Sequence, residues 1–181
     1  DIYVYYGNAG ASMAAATDTY GQYNVFPASV FAFYPLCGAH PLDNAAQNAY
    51  HLTASGSAST STNSPVEGVD SYLFSGSAQY LYCASTPVTD WPVAISAWFN
   101  SDSISLSQSI AALANNGASD NYAVLEAAGA TASDPVRWRS YGDGGNERIA
   151  ATSAGFTADT WLWAQGGYDG NTNKARLSGA N

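Results

Sequence analysis

Charge is scarce in this chain. Only 10% of its 181 residues are Asp, Glu, Lys or Arg, and just five of those are cations, which leaves a formal charge of −9; an ordinary globular protein carries about a quarter charged residues. So acidic a surface argues against nucleic acid as partner, because phosphate is repelled, and disfavours anionic membrane faces for the same reason. Long apolar runs are missing too. None approaches the ~20 residues of a bilayer-crossing helix, so no membrane insertion is expected. No basic-then-apolar leader opens the chain, yet Asp1 is not an initiator Met, so the start reads as processed or trimmed. Helical periodicity is nearly absent: ASMAAAT at 11–17 is the one candidate, and it is short and uncapped. Cysteine is limited to Cys37 and Cys83, with no CxxC spacing of a zinc or redox site. The two thiols either form a disulfide, worth roughly 4 kcal/mol in the chain-entropy model, or lie free as small apolar residues.

Ser, Thr, Asn, Gly and Ala take the place of charge, beside 46% hydrophobic and 13% aromatic residues, enough for one domain or one domain with a short extra piece. Such uncharged surfaces are typical of secreted or virion-exposed β-proteins, so an extracellular, cell-surface or virion location is expected. Short aromatic or β-branched runs bounded by turn residues predict strands at 2–6, 30–34, 49–53, 71–75, 79–83, 93–99, 109–113, 122–127, 136–141, 147–151, 160–165 and 174–178. That pattern predicts an all-β chain, a two-layer antiparallel β-sandwich or jelly roll. ASGSASTSTNSP (54–65) reads as an exposed loop, SGS (75–77) as a turn and Asp169-Gly170 as a hairpin turn, since both residues tolerate positive φ. In VAISAWF, Val93, Ile95, Ala97 and Phe99 share one face, Ala94 and Trp98 the other, so a sheet covered on both sides is expected. In VRWRSY, Val136, Trp138 and Ser140 face the core, while Arg137, Arg139 and Tyr141 face water.

The order VFAFYPL, DNAAQNAYHLT, VDSYLFSGSAQYLYC, VAISAWFN and TADTWLWAQGGYDGNTNKARLSGAN resembles the laminin-G-like, concanavalin-A-like jelly rolls of bacterial and phage surface proteins. Phe74, Gly76, Tyr80, Trp98, Trp161, Asp169 and Gly170 occupy the motif places. The resemblance covers residues 30–181 and implies a jelly-roll module there; residues 1–29 look like a strand and linker ending a preceding small β-domain. The family usually continues for several strands beyond the point where this chain stops, so either the sheet is completed differently or the chain is a fragment. A missing last strand would leave an edge open to pairing, with residues 30–36 partly exposed, and implies a homo-oligomer or neighbouring domains of a longer chain.

Jelly rolls of this type include glycoside hydrolases, whose two carboxylates stand roughly 5–10 Å apart. Here only Glu67, Glu126 and Glu147 are glutamates, and no strand carries acids at i and i+2, so the chain is read as non-enzymatic. No GxSxG elbow is present, His40 and His51 read as ordinary polar residues, and GDGG lacks the spacing of a phosphate loop. DGNTN spaces Asp169, Asn171 and Asn173 as a calcium loop would, but Lys174 stands where Gly is needed, which favours a plain hairpin. The resemblance implies Asp43 and Asn44 as holders of a structural calcium. Three of the five cations, Arg137, Arg139 and Arg148, fall within VRWRSYGDGGNER. In the family this region forms the concave sheet or its rim. Arg137, Arg139, Tyr141, Arg148 and the turn residue Trp91 are therefore the candidate ligand contacts, with planar guanidinium forks suited to an acidic or sulfated polysaccharide. The competing reading pairs Arg137 and Arg139 with Glu126, Glu147 and Asp143 across the sheet, for about 0.2–1 kcal/mol each. Trp138, Trp161 and Trp163 read as core. The expected function is a non-catalytic carbohydrate-binding or adhesion module that holds glycan on its concave face. The alternative is a structural module without a glycan ligand, a virion decoration or spacer; a divergent glycoside hydrolase ranks behind both.

Overall fold

A computed structural model describes Ala15, Tyr23 and residues 25–47, 49–76, 78–85, 88, 91–114, 122–141 and 146–178. Among them there is no α-helix, and the chain is nearly all strand and turn. The strands are β1 (Thr53–Ser55), β2 (Ser59–Ser61), β3 (Ser71–Leu73), β4 (Tyr80–Tyr82), β5 (Val93–Phe99), β6 (Ser107–Ala114), β7 (Tyr122–Ala128), β8 (Pro135–Tyr141), β9 (Glu147–Gly155), β10 (Leu162–Tyr168) and β11 (Asn173–Ser178). Every ladder is antiparallel. The chain forms two compact units, Asp1–Thr62 with Val69–Pro87, and Asn63–Gly68 with Val88–Asn181. The expected strand at 2–6 and the helix candidate at 11–17 fall outside the described residues, Ala15 apart.

In the first unit β1 pairs with β4 and β2 with β3. The stretch expected as a bare loop, 54–65, thus contributes to two strands, because its small residues sit opposite larger ones: Thr60 faces Tyr72, Ser59 faces Leu73 and Ala54 faces Leu81. VFAFY, expected as a strand, joins no ladder among the described residues; its backbone is tied to Asn44 instead. AYHLT reaches strand geometry only at Thr53, since Tyr50 adopts a φ of 61°. The Tyr34 hydroxyl donates to the Tyr50 carbonyl at 2.6 Å. Burial, and then the nearby Cys83, push that hydroxyl up to about 12, so it remains a donor at ordinary pH. Cys37 and Cys83 are free thiols, both half-buried.

The second unit is a two-layer sandwich. One layer runs β11-β10-β5, the other β6-β7-β8-β9. Strand alternation turns Ala123, Leu125, Ala127, Val136 and Trp138 inward from β7 and β8, where they meet Phe99, Leu162 and Ala164 of the facing sheet. Trp138 fills the centre and is fully buried. Its indole N–H finds no acceptor among the described residues, at a cost of about 1–3 kcal/mol. Burying a ring of that area contributes about 4–6 kcal/mol, so packing wins. VAISAWF departs from expectation: Val93, Ile95 and Phe99 pack inward, but Ala94, Ser96 and Trp98 are exposed, Trp98 at 53%. Ser96, in the middle of that face, is the residue that marks it as solvated. Trp161 and Trp163 are likewise outside the core and half-buried; Trp163 lies opposite Trp98 on the outer face, and Trp161 Nε1 donates to Asn63 at 2.9 Å. Leu162, Ala164 and Gly166 supply the inward face of β10.

Candidate functional site

Arg137 and Arg139 project from the outer face of the four-stranded sheet, as their alternation with Val136 and Trp138 requires, and there they meet acids. Glu126 lies opposite Arg137 in the β7–β8 register, and Glu147 opposite Tyr141 in the β8–β9 register. Arg137 Nε donates to Glu126 Oε1 at 2.6 Å, and its Nη2 pairs with the same oxygen. Arg139 spans both acids: Nη1 stands 3.4 Å from Glu126 Oε2, Nε donates to Glu147 Oε1 at 2.8 Å, and Nη2 pairs with that oxygen as well. The Tyr122 hydroxyl donates to Glu147 Oε1 at 3.1 Å, and its ring stacks on Tyr141 with centroids 5.5 Å apart and planes 3° from parallel. Two guanidiniums and two carboxylates cancel. The Arg139 hydrogen bond holds the Glu147 carboxyl below its ordinary range, and the same bond raises Arg139. Burial, then the Glu147 hydrogen bond, raises Tyr122. Asp143 lies outside the described residues.

Arg148 does not join this group. It sits opposite Ser140 in the register, which puts its side chain on the Trp138 face of the sheet rather than the Arg137 face. Conversely, the fold brings Glu126 and Glu147 to one guanidinium, a proximity that no i, i+2 spacing announces. Glu147 is shifted below its ordinary range by the Arg139 hydrogen bond, away from the proton-holding role that one member of a glycosidase pair takes.

The predicted calcium pair has a different occupation. Asn44 is fully buried, and its amide is saturated. Oδ1 accepts from the N–H groups of Phe33 (2.9 Å) and Ala46 (3.0 Å), while Nδ2 donates to the carbonyls of Phe31 (3.2 Å) and Ala49 (3.0 Å). Both lone pairs and both protons are engaged, so no oxygen is left for a cation. His51 Nδ1 accepts the Asn44 N–H at 3.1 Å, and the Asp43 carboxylate lies 3.5 Å from the Nδ1 atoms of His40 and His51. In DGNTN, Asp169 Oδ1 accepts from the backbone N–H of Asn171 (3.0 Å) and Thr172 (2.7 Å), and Oδ2 accepts from Lys174 Nζ (2.6 Å). Lys174 first, then those N–H groups, hold the Asp169 carboxyl far below the usual range. Gly170, at φ 93°, completes the hairpin turn.

A groove of about 440 Å³ opens on the outer face of the three-stranded sheet, lined among others by Pro92, Gln165, Gly167, Tyr168, Lys174 and Arg176. The register builds it. Ser96, Gln165 and Arg176 form one row across the strands, and Ala94, Gly167 and Lys174 form the next. A Cβ on Gly167 would stand 2.8 Å from the Val93 carbonyl oxygen and 3.0 Å from Ala94 Cβ, so only glycine fits there and the floor stays low beside the Ala94 methyl. Trp91, 45% exposed, packs edge-on against Tyr168 with ring centroids 5.2 Å apart. Of the predicted contacts only Trp91 comes near the groove, through its packing on Tyr168. Gln165, Gly167 and Arg176 were missed; the available signal was KARLS, whose Lys174, Arg176 and Ser178 alternate onto one face.

No family model, curated protein or solved structure matches the chain.

Proposed function

We propose that the second unit is a non-catalytic carbohydrate-binding module, a sandwich of the laminin-G-like jelly-roll type displayed on a cell surface or virion. The observation that carries this reading is the groove over Gly167: a low floor at Gly167 and Ala94, hydrogen-bonding side chains on Gln165 and Arg176, and, beside its lining, the exposed rings of Trp91, packed on Tyr168, and of Trp98 on the same sheet face. Sugars present alternating apolar C–H faces and hydroxyls, and recognition takes aromatic rings for the first and planar polar groups for the second. The groove lies on rigid ladders rather than loops, which lowers the ordering cost of binding. The predicted Arg137–Arg139–Tyr141 surface is the weaker ligand site, because its guanidiniums already serve Glu126 and Glu147. Glycan-array screening followed by tryptophan-fluorescence titration tests the proposal. A polysaccharide that binds, and whose affinity falls about ten-fold or more in Trp91→Ala or Trp98→Ala, supports it. Failure of every polysaccharide to bind overturns it.

A second reading, an assembly module, is favoured by the first unit, where Phe31, Phe33, Leu73, Phe74, Tyr80 and Tyr82 are exposed. Sedimentation velocity decides it: a monomer over the whole concentration range counts against assembly through like copies.

A further inference from the structure

We infer that the ligand of the groove is an anionic sugar, its carboxylate or sulfate gripped by Arg176. This rests on the reading of the groove as a glycan site and names the class of glycan.

The argument starts from how the chain distributes its five cations. Arg137 and Arg139 are neutralised by Glu126 and Glu147, and Lys174 by Asp169. Arg148 is exposed and likewise has no ion pair among the described residues, but it sits on β9 of the four-stranded sheet and does not line the groove. Arg176 stands exposed on the groove wall with no ion-pair or hydrogen-bond partner among the described residues. Arg176 is thus the cation lining the groove that no acid among the described residues holds. The acid on the groove wall, Asp169, does not oppose it, because Lys174 lies 2.6 Å from Asp169 Oδ2. The remaining polar groups face the same way. Gln165 is the cross-strand neighbour of Arg176, and Ser96 is the neighbour of Gln165 on its other side. Cross-strand neighbours lie about 5 Å apart, so a guanidinium, an amide and a hydroxyl form one row about 10 Å long, close to the span of two sugar rings. In the next row Gly167 and the Ala94 methyl leave a low floor for a ring, with Lys174 held to Asp169 at its edge. A guanidinium fork takes carboxylate or sulfate oxygens through two parallel N–H bonds, which an ammonium cannot reproduce. The neutral members of the row suit hydroxyls next to the acid group.

The test is isothermal titration of the whole chain with three oligosaccharide probes: oligogalacturonate (carboxylated), a sulfated galactan oligosaccharide and a neutral cello-oligosaccharide. The variants are Arg176→Ala, Arg176→Lys and Thr157→Glu. The last shifts net charge by the same amount at an exposed loop residue remote from the groove rows. At least one anionic probe is expected to bind about ten-fold or more tightly than the neutral one. Arg176→Ala should remove that preference, Arg176→Lys should recover only part of it, and Thr157→Glu should leave it in place. Which anionic probe binds separates carboxylate from sulfate recognition. Neutral and anionic probes binding equally would overturn the inference while leaving the glycan reading standing. So would a preference that survives Arg176→Ala, or one that Thr157→Glu abolishes as well. Binding of none of the three, together with an empty glycan array, would remove the glycan reading itself.

Discussion

Gly166 lies beneath the ring of Trp138 so closely that a Cβ in its place would stand 2.5 Å from Cε3. The two sheets of the second unit approach one another through that gap in the side chains of β10. Gly166→Ala should therefore force the sheets apart or twist Trp138 off its rotamer, at a cost of about 1–3 kcal/mol. Urea denaturation followed by tryptophan fluorescence measures it. A loss under about 0.5 kcal/mol would mean the ring can move aside freely.

Glu126 is 5% exposed and serves two guanidiniums. Glu126→Ala leaves Arg137 half-buried without its carboxylate, and a decrease in unfolding free energy of about 2–3 kcal/mol is expected. A double-mutant cycle with Arg137→Ala isolates the pair. Additive single effects would show that the pair contributes nothing beyond its separate packing.

Acid should weaken the second unit through Glu147. Its folded carboxyl binds a proton less readily than the unfolded chain does, so below the ordinary glutamate range the unfolded state takes up more protons. The stabilisation is present above the unfolded value, about 4.3, and is lost as pH falls through the lower folded value. Glu147→Gln should flatten that part of the stability–pH curve. An unchanged acid limb would assign the effect to other carboxyls.

Asn44→Ala removes four hydrogen bonds to backbone that has no ladder of its own. At about 1 kcal/mol each with partial replacement by water, a loss of about 2–4 kcal/mol is expected in the first unit. Hydrogen exchange at Phe33 and Ala46 reads it directly. Millimolar calcium should not raise the melting temperature of the native chain, because a ligand that binds only the folded state would. A calcium-dependent rise would restore Asp43 and Asn44 as ion ligands.

Period-two alternation made much of the second unit legible. VRWRSY announced Trp138 inward and Arg137 outward, and both stand so. The Asp169-Gly170 turn was legible for a similar local reason, although Gly170 alone takes positive φ and Asp169 acts as the acceptor of the turn's N–H groups. What stayed hidden depends on register between strands distant in sequence. The meeting of Glu126 with Glu147, the row of Ser96, Gln165 and Arg176, and the separation of Arg148 from Arg137 are set by which residues face each other across ladders. Sequence spacing within one strand does not contain that information. Asn44 was hidden differently: its position in a turn-rich stretch is visible, but that all four of its bonding sites point at backbone is a property of the closed loop alone.

The pairing of Arg137, Arg139 and Lys174 with acids has a kinetic corollary. The molecule carries a net charge of −9, and an anionic polymer drifting toward it feels little until it comes within a screening length, about 10 Å at 0.1 M salt, where it meets net repulsion before it reaches Arg176. Added salt should then speed the encounter while loosening the final grip, so the on-rate and the off-rate would both climb with ionic strength, opposite to the slowing of approach seen where partners attract.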